Sequence, residues 1–377
     1  MAEPVLNLAP DEPDTPQILP LDALHRALGA RMVPFAGYLM PVQYPSGVMA
    51  EHLHCREAAA LFDVSHMGQI GLRGPGAAAA LERLVCGEMQ ALKPGRQRYT
   101  LLMNEAGGIL DDLMVANHGD RLFVVANASR KAADAKHLRE NLPEDVVVEF
   151  HPDRALLALQ GPASGAVMAR LCPAAAGSRF MDVAAAEIGG VPVWISRSGY
   201  TGEDGFEISV PEARAEELAR LLLDQPEVKP AGLGARDSLR LEAGLCLYGS
   251  DIDDVTTPVE AGLVWAIGKR RRMDWDFPGA AVVRDQLDHG PPRLRVGLRP
   301  DGRAPARAGT IVVAQGGTEA GAVTSGGFSP TLGAPVAMGY VRRDVAADGT
   351  PVQLLVRDKP LPARVVPLPF VPTRYAR

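Results

Sequence analysis

The stretch YTLLMNEAGGILDDLMVANHGDRLFVVA, Tyr99 to Ala126, decides the fold. Three strand-like runs lie in it: Tyr99 to Met103, Ile109 to Val115 and Leu122 to Ala126. The first two are separated by Asn104-Glu105-Ala106-Gly107-Gly108, whose length and composition suit a hairpin. Strands joined so tightly run antiparallel, because a parallel return needs a crossover of a dozen or more residues. The reading is an antiparallel meander with helices on one side, which places the chain in the α+β class. Upstream, apolar spacing predicts helices at Leu21 to Leu28, Val48 to Leu61 and Ala77 to Val85, with a strand at Gln69 to Leu72.

Downstream the same grammar starts again. Leu156 to Leu159 is strand-like and stops at Gly161-Pro162; a helix follows to Leu171. Val191 to Ser196 and Phe206 to Val210 form a further strand pair, and Glu212 to Leu223 a helix. Beyond Gly290 the runs Leu294 to Leu298, Thr310 to Val313, Ala337 to Val341 and Val352 to Val356 are divided by Gly and Pro, which favours a small β barrel or sandwich. The expected division is an acidic, proline-rich, disordered arm at 1–18, two interleaved α+β units over 19–285 and an all-β unit at 290–377. A chain of 377 residues exceeds what one hydrophobic core usually serves.

Charge and composition exclude several classes. Lys plus Arg is 39 against 45 Asp plus Glu, a net charge of −6, which argues against a nucleic-acid binder. With 47% hydrophobic and 22% charged residues the chain can bury a core. No apolar run approaches the length of a membrane-spanning helix. Residues 1–20 hold five prolines, four acids and no basic side chain, which fits neither a secretory signal nor a transit peptide. Cys55, Cys86, Cys172 and Cys246 are far apart and form no CxxC pair, so a disulfide framework and a zinc site are both poorly supported. Buried inert thiols in a cytoplasmic protein are expected.

Several motifs look better than they are. Gly74, Gly76 and Ala79 satisfy a loose dinucleotide pattern, but Pro75 sits in the turn. Gly262 to Lys269 has one residue too many for a phosphate loop, and Arg270 stands where Ser or Thr belongs. The run Lys269 to Arg272 reads as a solvated face, and His66 as a satisfied structural histidine.

Three segments carry chemistry. On a strand, Ile109, Asp111, Leu113 and Val115 share one face and Leu110, Asp112 and Met114 the other, so each carboxylate lies in an otherwise apolar row. At least one is expected to be desolvated, which raises a carboxyl pKa and makes it a candidate acid, base or clamp. In Gly199 to Val210, Glu207 points away from the apolar row Phe206, Ile208 and Val210. In Gly234 to Tyr248, Arg236 and Arg240 stand one helical turn apart, each able to grip a carboxylate, a heteroaromatic ring or a structural acid.

Together with MVPFAGYLMPVQY, EHLHCREAAALFDVSHMGQ, LLALQGP, TPVEAGLVWAIGKRRR, AMGYV and the terminal PFVPTRY, these segments resemble the aminomethyltransferase (T-protein) family of the glycine cleavage system over residues 19–375. The resemblance implies a three-domain ring around a central cavity that holds tetrahydrofolate. It implies transfer of the aminomethyl-derived one-carbon unit from the lipoyl arm of H-protein to tetrahydrofolate, giving methylenetetrahydrofolate, ammonia and dihydrolipoyl H-protein. No metal is expected, and the partners are H-protein and the folate, with no nucleic acid and no membrane.

By resemblance, Asp112 is the catalytic carboxylate, and Glu207, Arg236, Tyr375 and Tyr200 bind folate. Tyr38 stands where the family more often has Trp, and Ser250 where it more often has Asn. The competing readings are a folate-dependent demethylase on the same scaffold and a folate-binding iron–sulfur assembly factor. The second lacks its Cys and Lys in SGYTGEDG.

Overall fold

The computed structural model describes residues 15–357 and 359–377. Most of the expected N-terminal arm lies outside them, but its end does not behave as an arm: Gln17–Ile18 pairs in parallel with Tyr38 and Leu39 of the strand Tyr38–Gln43.

The meander is present. Arg96–Met103, Ile109–Asn117 and Leu122–Ala126 pair in succession, and Gly68–Arg73 and Val147–Phe150 complete an antiparallel five-stranded sheet. Its covered face holds Ile70, Leu72, Leu102, Leu113, Val115 and Val124, against which the helices Ala77–Glu82 and Lys131–Asn141 pack Leu81, Ala135 and Leu138. Gly108 must be glycine, because a Cβ there would fall 1.8 Å from the carbonyl oxygen of Asp254.

The second sheet has six strands in the order Val183–Ile188, Val191–Ser196, Gly205–Pro211, Arg154–Gln160, Ala59–Asp63 and Val228–Pro230. One expectation fails here. The helix expected over Val48 to Leu61 ends at Glu57, and Ala59–Asp63 enters this sheet between Arg154–Gln160 and Val228–Pro230. An apolar run buried on both faces has no period to report, so Ala59-Ala60-Leu61-Phe62 reads equally as helix or strand until a partner claims its backbone.

The C-terminal unit is a closed six-stranded barrel, Arg293–Pro300, Ala334–Arg342, Glu319–Ser329, Ile311–Ala314, Pro351–Val356 and Lys359–Val366. Closure removes the sheet edges that short β strands otherwise expose.

The second unit touches both others, and a connecting segment bridges the first unit to the barrel. The sheets meet through Ala116, Phe123, Val183 and Trp194. The helix Leu233–Glu242 sets Leu241 against Val336 and Met338 of the barrel. The connecting segment packs Ile252, Phe277 and Val283 on Leu101, Met103 and Ile109 of the first sheet, and its Glu260 pairs with Arg293 of the barrel.

The basic run is a solvated face only in part: Lys269 and Arg272 are exposed and Arg270 is half-buried, but Arg271 is not. Arg271 is among the largest fully buried side chains, and its guanidinium donates to the carbonyls of Glu82 (2.6 Å) and Val85 (3.0 Å) and pairs with Asp276. It closes the open end of the Ala77–Glu82 helix, where the last carbonyls lack partners. Among the described residues no helix is long and apolar enough to cross a membrane.

Candidate functional site

The Ile109–Asn117 strand does what its alternation predicts. Asp111 is fully buried among Ile109, Leu113 and Val115, and Asp112 is half-buried on the opposite face with Leu110 and Met114. Two neighbours hold Asp112. The Tyr99 hydroxyl donates to Oδ2 at 3.1 Å and the Asn127 side-chain amide to Oδ1 at 2.6 Å. Burial pushes the Asp112 carboxyl up to about 7, the charge of Asp111 adds to the shift, and the bonds from Tyr99 and Asn127 oppose it. Asn127 also donates from its backbone and amide nitrogens to Asp111, at 3.0 and 2.8 Å.

Neither Tyr99 nor Asn127 was among the residues expected from the sequence, although the hairpin register contains both. Tyr99 pairs with Met114 and Leu101 with Asp112, so Tyr99 is the diagonal neighbour of Asp112 on one face. Met114 pairs with Val125 on the other side, which sets position 127 opposite Asp112. Tyr99 in turn stacks on Trp265, with centroids 5.1 Å apart and planes at 26°, although Trp265 is 64% exposed.

The second cluster comes from three elements. The loop before Gly205–Pro211 supplies Tyr200, that strand supplies Glu207, and the helix Leu233–Glu242 supplies Arg236. The Arg236 guanidinium lies over the Tyr200 ring, 4.8 Å from its centroid. Its Nη1 is buried without a hydrogen-bond partner. Burial lowers the pKa of Arg236, and Glu207 and Tyr200 partly offset the effect.

Glu207 accepts a bond from the Ser198 hydroxyl at 3.2 Å. Burial raises its carboxyl above the usual range, against the pull of Arg236 and that bond. The Tyr200 hydroxyl donates to the carbonyl of Cys246. The Tyr200 loop fits only because Gly199 has no side chain: a Cβ would lie 1.8 Å from Gln160 Oε1. Glu207 also lines a small opening between the two sheets, with Met114, Ala116 and Val125 on its other wall. Asp112, Tyr200 and Arg236 do not line it.

The structure therefore brings Tyr200, Arg236 and Glu207 together, and Tyr200 feels the charge of Asp112. Tyr375 belongs to a different neighbourhood. Its ring stacks on Phe180 at 4.2 Å, and Arg374 beside it ties the tail to the loop through Gly202 and Glu203. Arg240, one turn from Arg236, is fully engaged by Asp237, Asp251 and Ser325 and is structural.

His66 is not satisfied as expected. Its Nδ1 is buried without a partner, and burial first, then Arg236, pushes its pKa down to about 3. The aromatic swap at Tyr38 does create a bond: its hydroxyl accepts from Lys131 Nζ at 2.6 Å. All four cysteines are free and buried. Among the described residues no group of three or more His, Cys, Asp or Glu side chains is set to hold a metal ion.

Comparison with known proteins bears on this geometry. The family description "GCVT N-terminal domain" matches residues 21–271 and "Glycine cleavage T-protein C-terminal barrel domain" residues 293–372. The chain is 50% identical over 365 residues to "Aminomethyltransferase, mitochondrial" of Gallus gallus, covering 94% of this chain and 93% of that protein. It is 44% identical over 375 residues to the protein of the same name from Dictyostelium discoideum, covering 95% and 93%. The crystal structure of glycine cleavage system aminomethyltransferase T from Bartonella henselae superposes with a TM-score of 0.91 at 44% identity, over 96% of this chain and 99% of that one.

One expectation is overturned by these matches. The cytoplasmic location does not stand, because the curated relatives are named mitochondrial. Free, buried thiols are inert packing groups in any compartment and carry no address.

Proposed function

This chain belongs to the glycine cleavage T-protein family and is an aminomethyltransferase of that system, and we propose that it passes the one-carbon unit from an aminomethylated lipoyl arm of H-protein to tetrahydrofolate, releasing ammonia. The observation that carries the reading is the pairing of a raised, half-buried carboxyl at Asp112 with an incompletely partnered set at Arg236, Glu207 and Tyr200.

The residues fit a pterin-bearing ligand. A buried guanidinium nitrogen without a partner costs free energy unless something else accepts its proton, and a flat heterocycle edged with donors and acceptors can do so. Glu207, raised by burial and holding a single hydroxyl bond, is a ready acceptor for ring N–H groups. Arg236 and Tyr200 hold each other in place, so little ordering remains to be done on binding. Tetrahydrofolate supplies the nucleophilic amine that accepts the one-carbon unit.

Asp112 does the protein's part of the transfer. A carboxyl near 7 is close to half-protonated at neutral pH, so it takes or releases a proton at Oδ2 with little driving force in either direction. In its charged form it stabilises positive charge developing on the transferred carbon. Tyr99 and Asn127 fix both oxygens, which removes the reorientation that a mobile carboxylate would need. General acid–base help of this kind is worth roughly 10² to 10⁴ in rate.

The test is methylenetetrahydrofolate formation with aminomethylated H-protein, with the same carrier lacking lipoate, and with small sulfonium or amine donors. Product and ammonia only with the lipoylated carrier are expected. Equal turnover of a small donor without carrier would sink the assignment in favour of a demethylase.

A further inference from the structure

After the last barrel strand, Lys359–Val366, the chain runs back over the second unit and ties together the two supports of the Arg236–Tyr200 stack. Val371 N donates at 3.0 Å to the carbonyl of Glu242, the last residue of the helix that carries Arg236. Three residues on, Arg374 N donates at 2.8 Å to the carbonyl of Gly202, two residues past Tyr200. Arg374 Nη2 adds bonds to Glu203 Oε1 at 2.7 Å and to the carbonyl of Arg56 at 2.6 Å. The far end is pinned as well: Phe180 N donates to the carbonyl of Ala376 at 2.7 Å, beside the Phe180–Tyr375 ring stack. Residues 371–376 thus run as a strap from the Arg236 helix, over the Tyr200 loop, to Phe180.

An inner bridge already joins the same helix and loop. Arg56 donates to Glu242 Oε2 at 2.8 Å, to Glu203 Oε1 at 2.7 Å and to the carbonyl of Thr201 at 2.9 Å. Those bonds are buried, whereas the Arg374 side chain is 52% exposed and shares an acceptor that Arg56 also satisfies, so its removal leaves no buried charge alone. What the strap adds is a second attachment. Arg56 and Gln160 hold the loop at Thr201, and Arg374 holds it at the next two residues. Gly202 takes φ +78°, a conformation that glycine enters freely, so the loop's path is set by these attachments and not by a backbone preference at that residue.

We propose that residues 371–376 are a positioning strap for the ligand site, with Arg374 as the positioning residue that keeps the Tyr200 loop in register with the Arg236 helix. The inference deepens the reading given above and rests on Tyr200 and Arg236 meeting the folate. It requires no contact between Tyr375 and the ligand, because the strap acts through Tyr200 and Arg236.

Tetrahydrofolate titration of Arg374→Ala is the test. The dissociation constant is expected to rise roughly three- to tenfold, with kcat at saturating folate within about twofold of the parent. The melting temperature is expected to stay within about 2 °C, because an exposed ion pair contributes little and Glu203 keeps Arg56. Arg374→Lys, whose ammonium still reaches toward Glu203, recovers part of the affinity. In a Tyr200→Leu background Arg374→Ala changes the affinity by less than about twofold, since the strap then has no ring to position.

Amide hydrogen exchange reads the loop without any ligand. Exchange over residues 200–204 is expected to quicken in Arg374→Ala while the barrel strands keep the parent's rates. An unchanged dissociation constant in Arg374→Ala, an equal effect in both backgrounds, or unchanged exchange over 200–204 overturns the proposal. Tyr200→Leu on its own separates the two claims. If it binds tetrahydrofolate as the parent does, the folate reading of the site has failed; if it binds weakly and Arg374→Ala matches the parent, only the strap has.

Discussion

Two buried polar clusters in this molecule are built from the same residue types and behave in opposite ways. At the seam between the helices Val48–Glu57 and Leu233–Glu242 and the barrel, Glu242 accepts from His52, Arg56, Ser329 and Thr331, and Arg56 also pairs with Glu203, which Arg374 reaches from the tail. Around Asp112, Glu207 and Arg236 the groups are half-buried rather than fully buried, and the last two are underpaired: Arg236 Nη1 has no partner, and Glu207 has one hydroxyl. Pairing decides the sign of the perturbation. Burial alone would raise Glu242, yet the bonds from His52, Ser329 and Thr331 win and hold it down at about 2, whereas Asp112 and Glu207 stay raised. The first cluster spends its hydrogen bonds inside the protein, and the second keeps them for a ligand.

The contrast breaks most visibly at Glu242. Removing one member of a buried ion network leaves the others uncompensated, so Glu242→Ala is expected to cost about 3–5 kcal/mol, measured by denaturant unfolding. Because its folded pKa lies below the unfolded one, Glu242 contributes stability that is present above about pH 4.5 and lost as pH falls through about 2. Loss of the parent's stability beginning well above pH 5 would point to other groups.

Asp112→Asn is the mirror case. Turnover is expected to drop by at least about 10² with folding and folate affinity broadly intact. The steady-state rate beside a folate titration checks it, and unchanged turnover removes Asp112 from the mechanism.

Arg236→Ala sharpens the comparison further. Tetrahydrofolate affinity is expected to weaken roughly tenfold or more, the cost of about 1.5–3 kcal/mol for a charged hydrogen bond. The melting temperature should hold or rise, since a buried unpaired donor goes with it. A fall in stability without loss of affinity would move Arg236 into the structural class with Arg240. The smallest effect is at Tyr38→Phe, which removes the bond from Lys131 and is expected to cost about 1 kcal/mol of stability.

Much of this was legible before any coordinates. The alternation at Ile109 to Val115 placed Asp111 and Asp112 on opposite faces, and the structure keeps them there. Short strands cut by Gly and Pro gave the barrel. Helical spacing gave the one-turn separation of Arg236 and Arg240 but not their fates, because Asp251 and Ser325, which claim Arg240, lie on the connecting segment and a barrel strand. Arg271 was read as solvated because composition carries no information about which helix end it closes. Tyr99 and Asn127 were missed for want of the strand register, which one hairpin residue more or less would have changed.

What residue order settled here is periodicity: which side chains share a face, where the chain must turn, and which acids are forced into apolar company. Those follow from local backbone geometry, which acts over a few residues. What the assembled units settled is partnership. Whether a buried charge is spent on a neighbour or left for a ligand depends on groups tens to hundreds of residues away, such as Thr331 for Glu242 or Ser325 for Arg240, and only three-dimensional packing brings those together.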